Sequence, residues 1–200
     1  MAVSVSVLKS LANKIGGEEF NKIAFWKHSI AAGEAGRIIA IETNYENPAR
    51  AYIIGLLHDI GKVALSFINK SEFDEAVFEA RALSSELYKC EDKIFGFNHQ
   101  DAGNWLCTRW QLPELIIAGI KYHHSIEACP AAFQQEALLA HISNFLVKDN
   151  GIGNSGGDII PSINDLAESK LKLTPKKLNN AKKSLLDKRN EIDNFLELLL

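Results

Sequence analysis

The chain is 200 residues long, room for one domain with a buried core, and its hydrophobic fraction of 46% is ordinary for a soluble globular protein. The 22 basic and 25 acidic residues leave a formal charge of -3, so no overall field recruits nucleic acid or an anionic membrane. No run of 18 apolar residues reads as a membrane span, and the 3 cysteines (Cys90, Cys107, Cys129) are widely spaced with no CxxC pair, which points to reduced thiols in a cytoplasmic setting.

The first stretch, MAVSVSVLKSLA, lacks the basic leader of a signal peptide and reaches Lys9 early. Residues 1–17 therefore read as a docking arm, helical or extended, and Val3, Val5 and Val7 alternate only briefly. From 18 to 42, Phe20, Ile23, Ala24, Ala31, Ala35 and Ile38 recur at the three-and-four spacing of a buried helical stripe, with His28 on it. Asn47-Pro48 is an N-cap followed by proline at the first helical position. That helix runs through Ile53, Ile54, Leu56 and Leu57 into His58-Asp59, where Gly61 is expected to bend the chain. Ser71 with Asp74 predicts a helix to about Tyr88. Asn98 caps a helix from His99 to Trp110, Leu112-Pro113 restarts one that ends at His123-His124, and residues 131–148 hold His141. Gly151 to Gly157 reads as a flexible loop. Thr174-Pro175 opens a last amphipathic helix, interrupted at Lys188, that packs on the domain body rather than forming a coiled coil. The expected fold is all-α, with a helical core over 18–149, a loop and short helix over 150–173, and a C-terminal helix over 174–200.

All 6 histidines fall into one order: His28, His58-Asp59, His99, His123-His124 and His141. Neutral imidazole is the commonest nitrogen ligand for transition metals, and carboxylate is its natural oxygen partner. Taken singly, each is weak: His28 on an apolar stripe is more often a core histidine, and His123-His124 suits the negative end of a helix dipole. Taken jointly, several helices would bring their ligands to one point, as in bundle metal sites. A carboxylate that bridges two metals fixes their separation for phosphate-ester hydrolysis, and Asp59 is placed for that role.

The segment GLLHDIGK (55–62) resembles the His-Asp signature of the HD superfamily of metal-dependent phosphohydrolases. FWKHSIAAGEAGRIIA (25–40), AYIIGLLHDIGKVAL (51–65) and FGFNHQDAGNWLCTRWQLPELIIAGIKYHH (95–124) resemble the blocks of its HDOD subgroup, over residues 20–148. The resemblance implies an HD-type helical bundle with a central metal site formed by His28, His58, Asp59, His99, His123, His124 and His141. It further implies two divalent ions, iron or manganese, since the donors include no thiolate. Lys62 would bind substrate phosphate or assist the leaving oxygen, and Arg109 is a weaker phosphate candidate.

HDOD domains usually carry a helical region before the FWKHS block, so the chain looks like a truncated or minimal form. Against the related HD-GYP cyclic-di-GMP phosphodiesterases there are departures. SIEACP follows His124 with no GYP motif, and Ala24 stands where some of those enzymes have a metal-supporting glutamate. The family's closing aspartate appears as His141, with Asn144 near it. The implied function is phosphohydrolysis of a nucleotide or phosphodiester in bacterial signalling, or a non-catalytic signalling module with a structural or sensory metal. A phosphate-containing small molecule or a signalling protein is the expected partner, with no nucleic acid and no membrane.

Overall fold

A computed structural model describes residues 17–200, and every regular element among them is helical. The arm expected over 1–17 lies almost wholly outside the described residues. Helix α1 (Lys22–Thr43) begins where the Asn21 side chain accepts the Ala24 N–H at 3.0 Å, and it stops at Asn44, in the left-handed region. It is buried around most of its circumference, so the apolar stripe seen in the sequence is one side of a central helix. Against it pack α2 (Pro48–Leu57), α8 (Gln134–Asp149), α10 (Pro175–Asp187) and α11 (Arg189–Leu199). Trp26, Phe25, Phe20 and Phe73 fill the core beside Ile30, Ile39 and Ile54, each such side chain contributing about 1.5–3 kcal/mol through burial.

Asn47 caps α2 as the sequence implies, accepting the Arg50 N–H at 3.0 Å. The chain breaks at His58-Asp59, and α3 (Ile60–Ile68) resumes immediately. Gly61 is therefore inside a helix rather than at a bend. Its role is close approach: a Cβ there would lie 1.8 Å from the His99 carbonyl oxygen and 2.7 Å from the Gly103 nitrogen of α6 (His99–Arg109). Together Pro48–Ile68 have the length and hydropathy of a membrane span, yet 67% of that window is buried inside the domain.

The helix expected to reach Tyr88 is two. Asn69, not Ser71, caps α4 (Lys70–Ala82), and Ser84 in the left-handed region breaks the chain before α5 (Leu87–Phe95). Asn98 and Asp101 form a complete capping box at α6, and α7 (Glu114–Tyr122) follows Pro113. Short 3-10 turns lead into α8, and α9 (Leu166–Leu171) precedes the C-terminal pair. That pair divides at Lys188 and lays Ala181, Leu185, Ile192, Leu196 and Leu199 into the interior. Cys90, Cys107 and Cys129 are buried free thiols, and burial raises the latter two to about 12 and about 11.

Candidate metal centre

Five helices deliver side chains to one buried point. His28 comes from the middle of α1, His58 and Asp59 from the α2–α3 junction, and His99 from the first residue of α6. His123 and His124 follow the end of α7, while Lys62 sits on the first turn of α3. His28, His58 and His123 are fully buried, and Asp59 and His99 are nearly so.

Two rings are oriented by the same device. The Nδ1 of His58 lies 2.7 Å from the Gly55 carbonyl, and that of His123 lies 2.7 Å from the Ile120 carbonyl. A carbonyl can only accept, so each Nδ1 carries the proton and each Nε2 turns its lone pair inward. These are carbonyls at helix C-termini, where backbone acceptors lack an intrahelical donor. His99 uses a carboxylate instead: its Nδ1 is 2.5 Å from Glu91 Oε2, which also accepts the His99 backbone N–H at 2.9 Å. Glu91, fully buried, is a positioning residue that the sequence reading missed.

The inward nitrogens surround Asp59. Its Oδ2 lies 3.2 Å from His58 Nε2 and 3.7 Å from His28 Nε2; its Oδ1 lies 3.3 Å from His99 Nε2 and 3.7 Å from His123 Nε2. Two donor sets result, His28–His58–Asp59 and Asp59–His99–His123–His124, with the ligand atoms of each within 4.8 Å of one another. Neighbouring ligands held about 2.1 Å from one first-row ion are separated by roughly 3 Å, the spacing found here. Both His28 nitrogens, His58 Nε2 and Asp59 Oδ1 are buried with no hydrogen-bond partner, a costly state that a cation relieves. The residues thus fit a divalent ion, and no thiolate is among the donors.

Electrostatics favour ligation. Burial, together with the neighbouring histidines, holds His28, His123 and His124 well below the usual imidazole range, so they stand neutral. Burial opposes the Asp59 carboxylate, but His58 and Lys62 outweigh it and hold its pKa well below the ordinary value. The Lys62 ammonium donates to Asp59 Oδ2 at 2.7 Å and to Ser155 Oγ at 3.2 Å. His124 is half-buried and stacks on Tyr88 with centroids 4.7 Å apart.

His141 does not join them. Its Nδ1 faces the His123 carbonyl at 2.9 Å and its Nε2 the Ser162 carbonyl at 2.8 Å, so neither nitrogen presents a lone pair to the centre. The expectation that it is a ligand is corrected on that ground; it braces the backbone behind His123. Arg109 is also outside, exposed on α6 with its guanidinium 6.0 Å from the Trp105 ring centroid.

The family model for the HDOD domain matches residues 1–126, which include every donor of both sets. A crystal structure of an HDOD domain protein of unknown function from Geobacter sulfurreducens is 26% identical, with a TM-score of 0.76 over 98% of this chain and 68% of that one. A candidate signal transduction protein from Marinobacter aquaeolei VT8 is 16% identical, with a TM-score of 0.79 over 98% of this chain and 44% of its own. A candidate phosphohydrolase from Shewanella amazonensis SB2B is also 16% identical, with a TM-score of 0.73 over 98% and 71%. At that identity the last two share the fold. A curated protein of unassigned function from Treponema pallidum (strain Nichols) is 25% identical over 104 residues, and the match spans 50% of this chain and 20% of that relative's length. With its all-helical bundle and buried histidine–aspartate cluster, the chain belongs to the HDOD domain family.

Proposed function

We propose that the chain is a metal-dependent phosphohydrolase of bacterial signalling, acting on a nucleotide or another phosphodiester, with two iron or manganese ions sharing Asp59. The observation that carries this reading is the pair of donor sets with one carboxylate in common. Ions in such a centre lower the pKa of water and neutralise phosphoryl charge. The protein's part is preorganisation: the Nδ1 hydrogen bonds of His58, His99 and His123 fix their rings before any ligand arrives. Lys62 holds Asp59 ionised and carries a second cationic donor for a phosphoryl oxygen.

A second reading, a regulatory HDOD module whose metal is structural or sensory, draws support from the cleft over the centre, which residues Gly157, Ile159 and Pro161 of the irregular segment after α8 partly cover. Hydrolysis of p-nitrophenyl phosphate and bis-p-nitrophenyl phosphate by protein reconstituted with iron or manganese separates the two. The first reading expects turnover that vanishes in Asp59→Asn. Metal-bearing wild type with no turnover on either compound overturns it in favour of the second.

A further inference from the structure

Lys148, near the end of α8, spends its hydrogen bonds on an irregular segment of its own chain. Residues 152–164 have no regular secondary structure and run from α8 to α9 across the mouth of the centre. The segment expected to be a free loop is seated through six of its residues. Gly153 lies against α1, where a Cβ would be 2.4 Å from the His28 nitrogen, and its φ of +68° is one that glycine tolerates. The Asn154 N–H donates to the Ala24 carbonyl at 3.0 Å. Ser155, 1% exposed, accepts from Lys62, and the Ser162 carbonyl faces His141. Lys148 Nζ donates to the Gly157 carbonyl at 2.7 Å and the Ile159 carbonyl at 3.0 Å.

Two ammonium groups therefore reach one cleft, and strap oxygens occupy both. Burial, then the nearby Lys62 charge, brings Lys148 down to about 8. One turn earlier on α8, Asn144 lines the same cleft, is 3% exposed, and has no partner for Oδ1. The acidic side chain of the lining, Glu86, is paired with Lys89 at 2.7 Å. Two carbonyls on the half-buried Lys148 and a hydroxyl on the buried Lys62 form the pattern that phosphoryl oxygens would make, and charged acceptors make the stronger bonds. Strap residues Gly157, Ile159 and Pro161 line this cleft together with the two lysines, so a phosphoryl group that reaches the ammonium groups must compete with strap oxygens.

We propose that Lys148 and Lys62 are the phosphoryl-recognition pair of this cleft, and that residues 153–162 are an autoinhibitory strap whose oxygens hold the pair until a phosphate-bearing ligand displaces them. The inference rests on the phosphate-directed reading above. Ligand affinity then scales with the fraction of molecules whose strap is open.

Hydrogen–deuterium exchange on the full chain tests it, with inorganic phosphate as the probe and sodium chloride at equal ionic strength as the control. Phosphate should raise exchange over 153–162 about tenfold, the factor that roughly 1.4 kcal/mol represents, and leave α1 and α8 unchanged. Lys148→Gln should exchange fast without phosphate and respond no further. Ser155→Ala, which deletes a single hydroxyl contact, should exchange at an intermediate rate and keep the response; it carries the test if Lys148→Gln fails to fold. Equal exchange in phosphate and chloride overturns the proposal, as does a Lys148→Gln protein that behaves like wild type. Metal content read on the same samples keeps the two readings apart: a strap that stays shut over a loaded centre sinks only the strap, and one that opens over a centre unable to hold metal sinks only the metal.

Discussion

The Asp59 carboxylate and the Lys62 ammonium form an ion pair 2.7 Å apart, one helical turn from each other, with their side chains 1% and 5% exposed. The carboxylate common to both donor sets thus already has a cation of its own. Removing it in Asp59→Ala leaves a buried ammonium with one hydroxyl partner. The metal-free variant should lose about 3–5 kcal/mol of stability, the usual cost of breaking a buried pair. Urea denaturation of both proteins, metal-free, checks this; a loss under about 1 kcal/mol would show that Lys62 finds solvent.

Glu91 should act through His99. Glu91→Gln keeps the shape but replaces a charged acceptor on Nδ1, and it should weaken metal binding by about 10–100-fold. Competition with a chelator measures the affinity. Unchanged affinity would assign Glu91 to packing alone.

The metal-free protein should lose stability as the pH falls below 6.5. His28, His123 and His124 have folded pKa values well below that ordinary value, so the unfolded chain binds more protons in this window and stability rises with pH. Each group contributes about 1.4 kcal/mol per pH unit once the pH is clearly below 6.5. Asp59, depressed in the folded state, adds its own loss only near and below its ordinary 3.8. Chemical denaturation at pH 7.5 and 5.5 reads the slope, and a flat profile would contradict neutral burial of these rings.

Gly61→Ala should damage the centre without touching a donor. Its methyl would fall 1.8 Å from the His99 carbonyl oxygen, a backbone atom that cannot swing aside. Overpacking of this kind costs typically about 1–3 kcal/mol, and more when helices must part. At Gly103 the corresponding neighbour is a methyl of the Ile120 side chain at 2.8 Å rather than a backbone oxygen at 1.8 Å, so Gly103→Ala should be milder. Thermal melts of the two variants check the order.

Much of this was legible in the residues. The caps at Asn47 and Asn98 are local chemistry, and His28, His58, Asp59, His99, His123 and His124 lie in an order that resembles a family. Glu91 was not legible, because a buried carboxylate 8 positions before its histidine has no local signature. The reading of Gly61 as a bend failed because glycine serves close approach as well as turns, and only the partner helix distinguishes them. His141 stands where the resemblance to the HD-GYP enzymes implies a closing aspartate. Whether its nitrogens face the cavity or two carbonyls depends on Ser162, 21 residues away in a segment without periodicity. The same segment looked free because of its glycines, whereas Gly153 there allows contact with α1.

The central claim, that Asp59 joins two ion-binding donor sets, is tested most directly by metal stoichiometry after anaerobic reconstitution with iron(II) or manganese(II) and removal of excess. Elemental analysis should find about two ions per wild-type chain and fewer than about one in Asp59→Ala, because the shared ligand serves both positions. Wild type that retains no ion, or an Asp59→Ala protein that retains the wild-type number, would contradict it.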